Sequence, residues 1–226
     1  MQITEIYRSI QGESSFAGLP CTFVRLTGCN LRCTWCDSEY TFTGGTKMSA
    51  GEVQSEVRRL AASGLVEITG GEPMLQQRVV LPLMESLLAC QYTVLLETSG
   101  ERPLKDVPRA VHKIVDVKCP GSGEGGTFDE TNLAALGNGD EVKFVLASRA
   151  DYGFARGFVR EHGLEISVGG VIFSPAFRKE AAGERDASHC LLDPRELADW
   201  ILEDGLHVRL GLQVHKFIWA PETKGV

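Results

Sequence analysis

The chain has 226 residues, of which 30 are acidic and 23 basic, for a net charge of −7, and 43% are hydrophobic. This is enough for one large α/β unit with a buried core, so residues 1–226 are read as a single domain. The acid excess argues against a nucleic-acid groove, which gathers Lys and Arg to neutralise phosphates, and no run reaches the roughly 18 apolar residues of a membrane helix.

Met1 leads directly into polar Gln2 and the strand-like Ile-Thr-Glu-Ile-Tyr, with neither a basic leader nor an apolar leader core. The chain is therefore expected in the cytoplasm, acting on a small molecule, where thiols stay reduced. Seven cysteines with three clustered suit metal binding better than a disulfide framework. Cys21, Cys90, Cys119 and Cys190 stand alone and read as small buried apolar groups.

In chain order, a strand over residues 2–8 precedes a turn-rich loop ending at Pro20. Cys21 to Leu26 reads as a strand with one charge, Arg25. In apolar surroundings that charge needs either a protein carboxylate or an anionic ligand for its planar fork. Gly28 to Ser38 then reads Gly-Cys-Asn-Leu-Arg-Cys-Thr-Trp-Cys-Asp-Ser, which places Cys29, Cys33 and Cys36 on one loop. Three thiolates without an adjacent fourth suit a 4Fe-4S cluster that keeps one iron open for another ligand. The alternative is a zinc site completed by Cys21 or a distant His, although zinc sites usually show two separated ligand pairs.

Ser49 and Glu52 form a capping-box pattern, followed by Val53, Val57, Leu60 and Ala61 at helical spacing and Gly64 as the stop. Leu65 to Thr69 is a strand that runs into Gly70-Gly71-Glu72-Pro73. The two glycines let a ligand approach the backbone and their amides suit an anion, while Glu72 reads as an acceptor for an ammonium. The same string alone is equally an ordinary turn. A helix over 80–90 tolerates Pro82 only in its first turn.

Strands are expected at 92–97, 113–117, 141–147 and 170–173, with a helix at 152–162. Lys118, at a strand end, faces either a ligand or solvent. Asp193-Pro194 opens a helix that buries Leu197, Trp200 and Ile201, and a last strand runs from His207 to Trp219. Strands alternating with helices imply parallel βαβ crossovers. About six such units give an open, incomplete (β/α)6-type partial TIM barrel, with the motifs at the strand C-terminal ends where such sheets build their sites.

The Cys-x3-Cys-x2-Cys spacing with Trp35 before the third cysteine, followed by Gly-Gly-Glu-Pro one helix and one strand later, resembles the radical S-adenosylmethionine (SAM) superfamily. Four further strings narrow the likeness: Ser9-Ile10-Gln11-Gly12-Glu13, Cys36-Asp37-Ser38, Thr69 to Pro73, and Gln213-Val214-His215-Lys216-Phe217. With these the chain is similar, over nearly its whole length, to the 7-carboxy-7-deazaguanine synthase family. The resemblance implies the radical SAM fold and conversion of 6-carboxy-5,6,7,8-tetrahydropterin to 7-carboxy-7-deazaguanine with loss of ammonia, on the way to queuosine. It implies a 4Fe-4S cluster on Cys29, Cys33 and Cys36, and SAM against Trp35, Cys36, Asp37, Gly71, Asp116, Val117, Lys118, Ser174, Pro175, Ala176 and Phe177.

The same resemblance assigns the substrate to Ile10, Gln11, Gly12, Glu13, Arg25, Thr69, His215 and Pro221, with Gln11 and Glu13 offering their edges to the pyrimidine ring. By itself His215 reads equally as a strand-end histidine. Mg2+ is implied on Ser38, whose hydroxyl is otherwise plain turn chemistry. A flavodoxin or ferredoxin as electron donor and a homodimer are the implied partners. Two departures stand out: Asp116-Val117-Lys118 replaces the Ser-Pro-Lys of other members, and Pro221, terminal in some members, is followed by Glu222 to Val226. Two other readings remain, a radical SAM enzyme acting on a protein, such as a glycyl-radical activase, and a zinc-stabilised binding module.

Overall fold

Runs of Val, Ile, Leu and Phe with period-two alternation build the strands, and the alternation decides which side chains meet helices and which meet the concave face. The computed structural model describes residues 1–60, 64–179, 187–219 and 223–225. Nine strands are formed among them: β1 (Gln2–Ile10), β2 (Pro20–Leu26), β3 (Thr46–Lys47), β4 (Leu65–Gly70), β5 (Thr93–Thr98), β6 (His112–Asp116), β7 (Glu141–Leu146), β8 (Gly170–Pro175) and β9 (Arg209–Leu210). They join in the order β3-β1-β2-β4-β5-β6-β7-β8-β9. β1 is antiparallel to β2 and β3, and from β2 onward every neighbouring pair is parallel. Parallel strands in chain order, open at both edges, form the expected partial barrel.

The helices are α1 (Ala50–Leu60), α2 (Gln77–Ala89), α3 (Arg149–Glu161), α4 (Leu164–Ser167), α5 (Pro194–Asp204) and α6 (His215–Ile218). The capping box forms as expected, with Ser49 Oγ accepting from Glu52 N at 3.2 Å and Glu52 Oε2 from Ser49 N at 2.7 Å. Asp193 likewise caps α5 through Arg195 N at 2.8 Å. Val53, Val57, Leu83, Leu87, Tyr152, Val159 and Leu197 pack from the helices onto Val24, Leu26, Ile68, Leu96, Val115 and Phe144 of the sheet's outer face. Each such side chain contributes about 1.5–3 kcal/mol by leaving water. A smaller cluster, Cys21, Phe23, Leu65, Leu95 and Ile114, fills the floor of the inner face.

Several expectations are corrected. α2 starts at Gln77, straight from a 3-10 turn at Pro73–Gln76, so Pro82 lies inside the helix. It is exposed, on the side of the helix turned away from the core. The β5–β6 crossover has no helix, and that between β6 and β7 has only the 3-10 turns Pro120–Ser122 and Glu130–Ala135. Cys21, Cys119 and Cys190 are buried, but Cys90, at the end of α2, is exposed. Ala61 lies outside the described residues.

The expected last strand shrinks to Arg209–Leu210, and residues 215–218 turn into α6. Gln213 and Lys216 are the buried members of that stretch. Their i,i+3 spacing brings both to one side of a helical turn, where alternation along a strand would split them.

Candidate active site

One cavity opens at the C-terminal ends of the parallel strands. It is lined by Tyr7, Ile10, Gln11, Gly12 and Glu13 from β1 and its loop, Arg25 from β2, and the Cys29–Ser38 loop. Glu67, Thr69, Gly70 and Gly71 from β4, Glu97 from β5, Asp116 and Lys118 after β6, Lys143 from β7, and Gln213, His215 and Lys216 also face it.

The cysteine loop is pinned on both flanks. Gly28 N donates to Thr41 O at 2.7 Å, Thr34 N to Ser122 O at 2.9 Å, and Arg32 Nη1 to Cys29 O at 2.8 Å. The Gly70-Gly71 turn presses on it: a Cβ at Gly71 would lie 2.4 Å from Gly28 O and 2.6 Å from Cys29 Cβ. Only glycine fits that approach. Cys29, Cys33 and Cys36 are free and half-buried. Burial pushes the Cys29 thiol up and that of Cys33 to about 11, with the Lys118 ammonium drawing Cys33 partly back. Protonated thiols of this kind lose protons on taking metal.

Among the described residues no three Cys, His, Asp or Glu side chains converge closely enough for one metal ion. A tetrahedral zinc at about 2.3 Å would hold its sulfurs about 3.8 Å apart, whereas a cubane's thiolates bind different irons and stand wider. Cys21 lies in the apolar floor, away from the loop. Three free thiols on one loop are the donor set of a cluster that keeps one iron open.

Glu72 is not an ammonium acceptor. It is 1% exposed, and its carboxylate takes bonds from Met74 N (2.9 Å), Thr98 Oγ1 (2.8 Å), Ser99 N (2.8 Å) and Ser99 Oγ (2.8 Å). It ties the β4 turn to the end of β5.

Arg25 takes the first of its two expected partners, a protein carboxylate, and also lines the cavity. Its Nε donates to Glu5 Oε1 at 3.0 Å and Nη2 to Tyr7 Oη at 2.6 Å, while the rest of the guanidinium faces the cavity. Tyr40 Oη completes the brace on Glu5 at 2.7 Å.

Lys143 escapes the sequence reading, although a lysine inside Glu-Val-Lys-Phe-Val-Leu carries the same signal as Arg25 inside β2. It is 3% exposed, pairs with Glu13 and Glu97, and lies 3.6 Å from Asp116. Burial would lower its pKa, but these carboxylates hold it well above the ordinary value. Burial would likewise raise Glu13, and Lys143, His215 and Lys216 together more than reverse that.

Gln11 Oε1 accepts from Glu13 N (2.8 Å) and Ser14 N (3.1 Å), and its amide donates to Glu67 Oε2 (3.1 Å). Glu13 accepts from Gln213 Nε2 at 2.9 Å. The edges expected to read a pyrimidine are thus largely committed within the protein.

His215 packs over Gly12, where a Cβ would come 2.2 Å from His215 Nδ1. Burial holds its pKa below the usual value, against the pull of Glu13. Lys216 Nζ reaches Asp37 Oδ2 at 2.6 Å, fastening α6 to the cysteine loop. Lys118 pairs with Asp116 at 2.9 Å. Ser38 Oγ lies 3.7 Å from Cys36 Sγ.

Trp35, Asp37, Ser38, Ile10 and Thr69 face the cavity as expected. Val117 and Ser174 to Phe177 do not line it. Val117 alternates outward into the helix-covered core, and Phe177 is buried against Phe217, with ring centroids 5.3 Å apart. Pro221 lies outside the described residues.

Residues 23–120 match the model of the radical SAM superfamily. A 7-carboxy-7-deazaguanine synthase from Koribacter versatilis is 70% identical over 226 residues, covering all of both chains. One from Chlorobaculum tepidum is 42% identical over all of this chain and 97% of its own. Among solved structures, QueE from Escherichia coli superposes with a TM-score of 0.73 at 21% identity, over 95% of this chain and 94% of that one. Streptococcus suis SuiB bound to S-adenosylmethionine gives 0.54 at 12% identity, over 88% of this chain and 48% of that one. A thiol triad pressed against a double-glycine turn on an open parallel barrel, together with relatives that match end to end, places this chain in the 7-carboxy-7-deazaguanine synthase family of the radical SAM superfamily.

Proposed function

We propose that residues 1–226 act as one catalytic unit that converts 6-carboxy-5,6,7,8-tetrahydropterin to 7-carboxy-7-deazaguanine with loss of ammonia, in the cytoplasm and toward queuosine. The observation that carries this reading is a single cavity with three free thiols at its rim and an arginine-lysine-carboxylate network deeper in. Cys29, Cys33 and Cys36 hold a 4Fe-4S cluster, and Trp35, Asp37, Gly71, Asp116 and Lys118 receive SAM. A cluster held there would supply one-electron reducing chemistry to SAM, and the protein's part is to hold SAM and substrate beside it.

The chain's own residues orient and desolvate. The free side of the Arg25 guanidinium pairs with the substrate carboxylate, its angle set by Glu5 and Tyr7. Lys143 holds Glu13 and Glu97 in place, so neither drifts toward the ligand. His215, kept neutral by burial, both donates and accepts at the rim of the cavity. Phe23, Leu31, Phe42 and Val145 supply the dry wall. Ser38 offers a hydroxyl to Mg2+ shared with the substrate carboxylate. Val117 and Ser174 to Phe177 support the SAM side from behind. A flavodoxin or ferredoxin delivers the electron, and the working form is a homodimer. No helix among the described residues is long and apolar enough to cross a membrane.

The test is anaerobic reconstitution, iron and sulfide counting, and assay with the carboxytetrahydropterin. Cluster incorporation with deazaguanine product is expected, and Cys33→Ala abolishes both. One zinc and no iron, or an intact cluster without deazaguanine product, sinks the reading.

A further inference from the structure

Among the described residues five carboxylates face the cavity: Glu13, Asp37, Glu67, Glu97 and Asp116. Four have a cation beside them. Glu13 and Glu97 share Lys143, Asp116 is 2.9 Å from Lys118, and Asp37 is 2.6 Å from Lys216. Glu67 has none.

Glu67 is 2% exposed and lies one pleat deeper than Thr69, paired with Phe23 on β2 and Leu95 on β5, so it stands on an apolar floor. Its one hydrogen bond comes from Gln11 Nε2 to Oε2 at 3.1 Å. That amide cannot turn over, because its carbonyl already caps two backbone N–H groups. The other oxygen, Oε1, is left for whatever fills the cavity.

A buried carboxyl without a cation is stable only if protonated or if a ligand brings donors to it. Burial, then the negative charge of Glu97, push Glu67 up to about 8. Glu97 on β5, Glu13 on the β1 loop, Arg25 and Cys21 on β2 and Tyr7 on β1 are the titratable groups that face it. The 2-amino group and N3–H of a 2-amino-4-oxopyrimidine are adjacent, parallel N–H donors, the complement of a carboxylate's two oxygens.

We propose that Glu67 reads the 2-amino/N3–H edge of the pterin and selects 2-amino-4-oxo rings over 2-oxo rings. This rests on the tetrahydropterin reading of the cavity. Arg25, one pleat higher on the neighbouring strand, is then left for the substrate carboxylate. Binding turns the Glu67 acid into a carboxylate, and its proton passes to solvent. Substrate affinity accordingly rises as pH climbs toward 8.

The experiment titrates the cluster-loaded, SAM-saturated enzyme with 6-carboxytetrahydropterin at pH 7 in buffers of different ionisation enthalpy. Steady-state constants are measured for that substrate and for its 2-oxo counterpart, 6-carboxytetrahydrolumazine. Wild type is expected to release close to one proton and to discriminate strongly against the 2-oxo ring. Glu67→Gln releases none, raises KM about 10- to 100-fold with kcat nearly unchanged, and narrows the discrimination because an amide can also donate. Glu67→Asp keeps the proton release at a raised KM, which guards against a variant that merely fails to fold. Equal use of both rings by wild type, or undiminished proton release in Glu67→Gln, overturns the assignment. Failure of wild type to turn over the tetrahydropterin at all overturns the functional reading instead.

Discussion

Lys143→Met removes one charge from the centre of the cavity while keeping most of the side-chain volume. Lys143 serves Glu13 and Glu97 directly and is 3% exposed. Asp116 retains Lys118 at 2.9 Å and Glu13 retains the Gln213 amide at 2.9 Å, but Glu97 has no other hydrogen-bond partner among the described residues. Taking one partner from a buried ion pair costs about 3–5 kcal/mol. About 4 kcal/mol is therefore expected at pH 7.5, with the losses at the two glutamates overlapping because they share one ammonium. In the native protein Glu13 sits below its ordinary 4.5, so it adds stability above that pH and loses it as pH falls. Burial already raises Glu97 despite Lys143. Without Lys143 both carboxyls rise, the native state takes up their protons, and the penalty shrinks on acidification. Urea denaturation followed by circular dichroism should give a loss of about 4 kcal/mol at pH 7.5 and under about 2 kcal/mol at pH 5, with Lys143→Met/Glu13→Gln recovering part of the difference. A loss below about 1 kcal/mol, or the same loss at both pH values, refutes the reasoning.

Glu72→Gln puts an NH2 group against donors in a carboxylate site that accepts four bonds. A loss of about 2–3 kcal/mol, or roughly 5–10 °C in Tm by scanning calorimetry, follows, and an unshifted Tm would mean those bonds hold nothing together. Lys216→Met cuts α6 loose from Asp37. Hydrogen exchange at residues 214–219 should quicken about 10- to 100-fold; unchanged exchange would assign the clasp to other contacts.

What could be read from sequence was what lies close in the chain. Cys29, Cys33 and Cys36 announce themselves by spacing, the Ser49–Glu52 capping box by its three-residue offset, and the strands by period-two apolar runs. Glu67 and Lys143 did not, because the groups that give them meaning come from other strands: Lys143 meets Glu13 across 130 positions and Gln11 meets Glu67 across 56. Glu72 was misread for the opposite reason. Its neighbours suggested a ligand site, while Thr98 and Ser99, one crossover later, had already filled it. The 207–219 stretch has strand-like composition, but buried Gln213 and Lys216 need Glu13 and Asp37, and those partners prevail over local propensity.

Gln213 bonds Glu13 across 200 positions, and Val214 N donates to Gly12 O at 2.9 Å. The rim beside the cysteine loop is thus sewn from the earliest and latest parts of the fold. A nascent chain on the ribosome has its thiol loop early, yet its substrate chamber lacks a side until the last turn emerges. Premature stop products ending before Gln213 lose the amide partner of Glu13, the donor to Gly12 O and the Lys216 clasp on the thiol loop all at once.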